Sequence, residues 1–71
     1  MPLYHFVVKL ADGTDGEIAD VEFRDDATAI EDARRALAAL ARDAVREGRR
    51  PDEVIEVLNE TGAVIAVVTL G

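Results

Sequence analysis

Without a cysteine anywhere in its 71 residues, the chain can form neither a disulfide framework nor a thiolate metal site. Serine is missing as well, so a hydrolase built on a serine or cysteine nucleophile is excluded. His5 is the single histidine and the one side chain that titrates near neutrality unperturbed. Basic residues are few, eight against fifteen acidic ones, and the net charge of −7 repels phosphate backbones and argues against nucleic-acid binding. No apolar run approaches the ~20 residues needed to cross a bilayer. No basic segment followed by an apolar stretch opens the chain, so a soluble cytoplasmic protein is expected.

What is present organises itself around an Ala-rich stretch from about Asp26 to Glu47. Ile30, Ala33, Leu37, Leu40, Ala41 and Ala44 recur at the three- and four-residue spacing of one helix face. Such small side chains bring a helix axis close to its support and suit a sheet better than a second bulky helix. Arg35, Arg42, Arg46 and Arg49 fall nearly in line on the opposite side, and Glu31 is spaced to pair with Arg35. Asp25, Asp26, or Thr28 with Glu31 can cap the start. Gly48 suits the left-handed residue after a helix, and Pro51 prevents continuation.

On either side of the helix the pattern is that of strands. Leu3 to Leu10 is rich in aromatic and β-branched residues, with Tyr4, Phe6, Val8 and Leu10 on one face and Leu3, His5, Val7 and Lys9 on the other. A turn-forming cluster from Ala11 to Gly16 leads to a second strand, Glu17 to Phe23, with Val21 and Phe23 inward and acidic residues suited to a sheet edge. Val54 to Leu58 and Ala63 to Leu70 form a final hairpin about Asn59–Gly62, a type I turn with a left-handed fourth residue. These elements predict one α+β domain over residues 1–71, in the order ββαββ. One long helix lies across one face of a four-stranded antiparallel sheet. Strand order 2-1-3-4 is favoured over 2-1-4-3, because it keeps each hairpin adjacent and every pair antiparallel.

The last strand is apolar on both faces, Ala63, Ile65 and Val67 against Val64, Ala66, Val68 and Leu70, while one helix can cover only one. A chain this small also has little core of its own, and association with copies of itself is a usual remedy. A homodimer is therefore expected, with Val54, Leu58, Ile65 and Val67 at its interface if the helix lies on the opposite face. A one-residue change of register would reverse that assignment.

Met1-Pro2-Leu3-Tyr4-His5-Phe6, Asp12-Gly13, Asp15-Gly16, Phe23-Arg24-Asp25 before an Ala/Arg helix, and Ile55-Glu56-Val57 with Gly62 resemble a family of short bacterial proteins of unknown function, frequent in alphaproteobacteria. Members often carry Leu-Pro-Asp where this chain has Phe23-Arg24-Asp25. The resemblance spans nearly the whole chain and implies no activity, cofactor or site residue.

Among candidate groups for chemistry, Asp12, Asp15, Glu17 and Asp20 offer oxygens to a hard cation, but their spacing departs from the EF-hand pattern and favours a solvated turn. Gly13 and Gly16 are not followed directly by a helix, as a phosphate loop requires. The arginine line, diluted by Asp32, Asp43 and Glu47, is the ordinary polar side of a helix. Pro2 carries the one enzyme alternative. If Met1 is removed, its secondary amine becomes a general base of the kind small tautomerases use, with Arg34, Arg35 or Arg49 holding the carboxylate of a keto acid in a trimer or hexamer. The strand from Glu17 to Phe23 departs from that family's direct passage from first strand to helix. A non-enzymatic, homo-oligomeric module is the favoured reading, with no cofactor, metal or nucleic acid.

Overall fold

The computed structural model describes residues 1–10 and 13–70. Its elements run β1 (Leu3–Lys9), β2 (Asp15–Glu22), α1 (Asp26–Arg46), β3 (Val54–Leu58) and β4 (Val64–Val68). Among the described residues the strands make one sheet in the order β2-β1-β3-β4, and every neighbouring pair is antiparallel. The α+β architecture, one helix on an antiparallel sheet, follows from the periodicities of the chain. Of the turn before β2, Ala11 and Asp12 lie outside the described residues.

Register decides which face the helix covers. Phe6 pairs with Val57 and Val8 with Ile55, while Ile55 and Val57 meet Val68 and Ala66 across the next ladder. All these side chains therefore point the same way, and Tyr4, Phe6, Ile55, Val57 and Val68 form a buried cluster with Ala29, Ala33 and Leu37 of α1. Ala44 is also fully enclosed. Of the remaining stripe residues, Ile30, Leu40 and Ala41 are half-buried, whereas Ala29, which the stripe omitted, is buried. The helix thus turns slightly further toward β1 than the apolar spacing implies. Phe23 closes the cluster, stacked on Phe6 at 5.7 Å between ring centres and tilted against Tyr4 at 5.9 Å.

The helix ends are held by local hydrogen bonds. Asp25 is the N-cap, its carboxylate accepting from the Thr28 amide at 2.8 Å, which settles the choice among the three candidate caps. At the far end the Gly48 amide donates to the Val45 carbonyl and the Arg49 amide to that of Ala44, with Gly48 at φ 79°. That pair of bonds is a Schellman motif, in which only the glycine position is left-handed. Arg49 therefore leaves the helical arginine line. Its guanidinium lies on Glu47 and 3.6 Å from Glu53, a carboxylate almost wholly enclosed. Glu31 pairs with Arg34 at 3.9 Å, not with Arg35.

Several strand boundaries move, and β1 and β2 each end one residue early, at Lys9 and Glu22. β2 begins at Asp15, two residues before the predicted start, because a register irregularity between Val7 and Lys9 lets Lys9 pair with Asp15. β4 is shorter than Ala63–Leu70 at both ends. Val21 shares the Tyr4 face as predicted but is substantially exposed, and so is Leu10, because the helix packs on β3 and β4 and leaves β2 largely uncovered.

Candidate interaction surface

The sheet face turned away from α1 has no covering element among the described residues. Reading across the ladders, Ile18, Val7, Glu56 and Val67 make one row and Asp20, His5, Leu58 and Val64 the next. Asp15, Lys9 and Val54 make a third row, and Leu3 stands opposite Glu22. Ile18 is 60% exposed, Val64 53% and Val67 54%, while Leu3, Val7, Val54 and Leu58 are half-buried. The half toward β3 and β4 is therefore mainly apolar, interrupted by Glu56. The half toward β2 is mainly charged.

Val54, Leu58 and Val67 lie on this open face as the sequence pattern implied, but Ile65 does not. Leu58 pairs with Val64 and Val57 with Ala66, so one extra residue, Ile65, bulges between them. The bulge breaks strict alternation. Ile65 and Ala66 both pack against the core, and Val64 takes the place on the open face that the pattern gave to Ile65. The Asn59–Gly62 turn sets the start of this register. The Asn59 side-chain oxygen accepts from the amides of Thr61 and Ala63, at 3.1 and 3.0 Å, and Gly62 is left-handed at φ 87°.

His5 and Lys9 of this face are paired within the monomer. His5 Nδ1 lies 2.6 Å from Asp20 Oδ1, and the Lys9 ammonium donates to Asp15. That hydrogen bond raises the Lys9 pKa above its ordinary value against an opposing desolvation, and the charges of Asp15 and Glu56 add to the rise. Asp15 and Asp20, two of the four candidate cation ligands, thus bond to Lys9 and His5, and Asp12 lies outside the described residues. Among the described residues no group of three or more His, Asp or Glu side chains is placed to hold a metal ion.

Pro2 does not line the depression that Arg35 borders. Pro2 is exposed at the start of β1, where its carbonyl accepts from the Phe23 amide at 3.1 Å, and Met1 precedes it with its ammonium 3.8 Å from Glu22. That depression, of about 370 Å³, lies at the helix entrance, where Phe23, Arg24, Thr28 and Glu31 line it with Arg35. Arg42 and Arg46 remain on the outer helix face, Arg46 at 3.9 Å from Asp43.

A part-buried polar contact links β1 to the helix start. The Tyr4 hydroxyl, enclosed in the core, donates to Asp26 Oδ1 at 2.5 Å. The donated bond, with burial and the charges of Asp26, Asp25 and Glu60, pushes the Tyr4 pKa up to about 12. A phenol so held is a structural latch and a poor general base or acid at neutral pH.

A model for a domain of unknown function, DUF6894, matches residues 3–71. The chain belongs to the DUF6894 family. No curated protein and no solved structure matches it. No helix of this DUF6894 domain, among the described residues, is long and apolar enough to cross a membrane.

Proposed function

We propose that this DUF6894 chain is a non-enzymatic interaction module that works as a homodimer through the open face of its sheet. The observation that carries the reading is the uncovered apolar half of that face, Val7, Val54, Leu58, Val64 and Val67 with Leu3 at its margin. A helix and a single sheet make two layers, and the outer side of the sheet is a third position that a second copy can fill. The charged β2 half would form the rim, where His5–Asp20 and Lys9–Asp15 already satisfy one another and need no partner. The family resemblance supports a bacterial setting for the module, and its acidic composition suits the cytoplasm.

Sedimentation equilibrium of the untagged protein tests the reading, with Val54→Asp as the perturbation. Val54 stands beside Lys9, so the new carboxylate has a cation near it in the monomer, whereas burial against a second copy would desolvate it. The expected result is a variant with unchanged helix content by circular dichroism and half the subunit number. A folded variant that associates like the parent would end the face-to-face assignment.

A further inference from the structure

We infer that β4 pairs with the β4 of a second copy, antiparallel about a two-fold axis, so that two four-stranded sheets join into one of eight strands. This contact is carried by a different set of observations from the open face, and neither depends on the other.

The two edges of the sheet are chemically opposite. β2 carries four carboxylates in its eight residues, which oppose pairing with a like strand. β4 and its flanks, Ala63 to Leu70, carry no charge at all. β4 is also last in the strand order, paired on its β3 side alone among the described residues, so a row of its backbone donors and acceptors faces outward. Edges left in this condition are templates for another strand, and natural sheets guard them with charge, proline or a covering segment. Here the bulge at Ile65 bends the hairpin end only, leaving Ala66 to Val68 in regular pairing geometry. In a protein of charge −7, a charge-free strand is where two copies meet with least repulsion.

The helix layer agrees with the same axis. α1 packs equally on β3 and β4, so its axis stands above the line between them. Strands are spaced about 4.8 Å apart, which places the helix about 5 Å from a two-fold axis between paired β4 strands, and its symmetry mate about 10 Å away. Helices pack at 8–10 Å. The flank turned toward the axis can be identified from the opposite one, where Ala36, Leu40 and Asp43 border an apolar groove over Phe6, Val8 and Ala19. On the β4 side the 100° helical step places Arg34, Ala38, Ala41 and Val45. The last three are small or apolar, with Val45 65% exposed at the close approach an antiparallel helix pair requires, while Arg34 pairs with Glu31 of its own helix at 3.9 Å. Self-pairing of one strand with itself is isologous and closes at two copies, so it consumes the exposed edge without propagating.

The test is native mass spectrometry and sedimentation equilibrium of the full chain, its Ala38→Glu and Val45→Glu variants, and Val54→Asp. Ala38 and Val45 are exposed on a helix, so neither substitution threatens the fold, and circular dichroism verifies this for each. The expected outcome is that each helix-flank variant halves the subunit number, and that amide exchange at Ala66–Val68 is slower in the parent than in either variant. If both contacts form, the parent is a tetramer, and Val54→Asp also halves it. A parent dimer that Ala38→Glu and Val45→Glu leave intact while Val54→Asp dissociates it would overturn the edge pairing and keep the face reading. A parent dimer dissociated by the flank variants alone would do the reverse. A monomeric parent at high micromolar concentration would overturn both.

Discussion

Leu37→Ala is the sharpest test of the packing. Leu37 is 2% exposed and sits mid-helix among Ala29, Ala33, Ile55, Val57 and Val68, and the other buried residues of the helix are all alanines. Removing three carbons forfeits about 2.4 kcal/mol of transfer free energy at ~0.8 kcal/mol each. The residual cavity brings the loss to about 3–5 kcal/mol, since the flanking alanines cannot close it. A domain of this length holds roughly 4–11 kcal/mol in total at 0.05–0.15 kcal/mol per residue, so the substitution removes a large part of its stability. With a urea m-value of about 1 kcal/mol/M, the unfolding midpoint should fall by roughly 3 M or leave no folded baseline. The measurement is urea denaturation followed by circular dichroism at one fixed protein concentration, because any assembly makes the midpoint concentration-dependent. Leu40→Ala, at a half-buried position beside the groove, is the comparison and should cost about 1–2 kcal/mol by the same accounting. A Leu37→Ala loss below about 1 kcal/mol would refute the reasoning, since it would put Leu37 outside the core.

Tyr4 is the only tyrosine and there is no tryptophan, so absorbance near 295 nm reports its ionisation alone. Its titration should centre near pH 12 in the folded protein and move back toward 10 in Asp26→Asn, which removes the carboxylate that holds the proton. Because the folded pKa is raised, the latch contributes fully below pH 10 and is lost as pH climbs from 10 toward 12, so Asp26→Asn should flatten the loss of stability in that window. Gly48→Ala meets open space but must keep φ near 79°, and it should lower stability by about 1 kcal/mol in denaturant titration through conformational strain alone. Added salt should tighten self-association, since two copies of charge −7 repel and screening shortens that repulsion to about 8 Å at 0.15 M. Weakening on addition of NaCl would point instead to ion pairs as the basis of the contact.

Local chemistry made most of the architecture legible in the chain itself. The 3.6-residue spacing of small apolar residues specified α1, Gly48 and Pro51 its end, and Asn59 with Gly62 the last hairpin, because caps and turns depend on neighbours within a few residues. Antiparallel pairing of the hairpins followed from loop lengths. The interaction surface was only partly legible. Alternation placed Val54, Leu58 and Val67 together, yet a single bulged residue moved Ile65 to the core and brought Val64 to the open face. No local signal marks that bulge, because its cause is the joint demand of the Asn59–Gly62 turn at one end and the Ile55–Val68 pairing at the other.

Sequence alone, then, determined the elements, their order and the presence of more apolar strand surface than one helix can cover. Tertiary structure decided which face α1 takes, that it sits over β3 and β4 and leaves β2 uncovered, and that β4 stands at an uncharged edge. The physical reason is that helix and turn preferences are fixed by contacts a few residues apart, whereas facing and register are fixed by side chains that meet only after the chain has folded back on itself. In a strand of period two, each such decision reverses the role of every residue it carries.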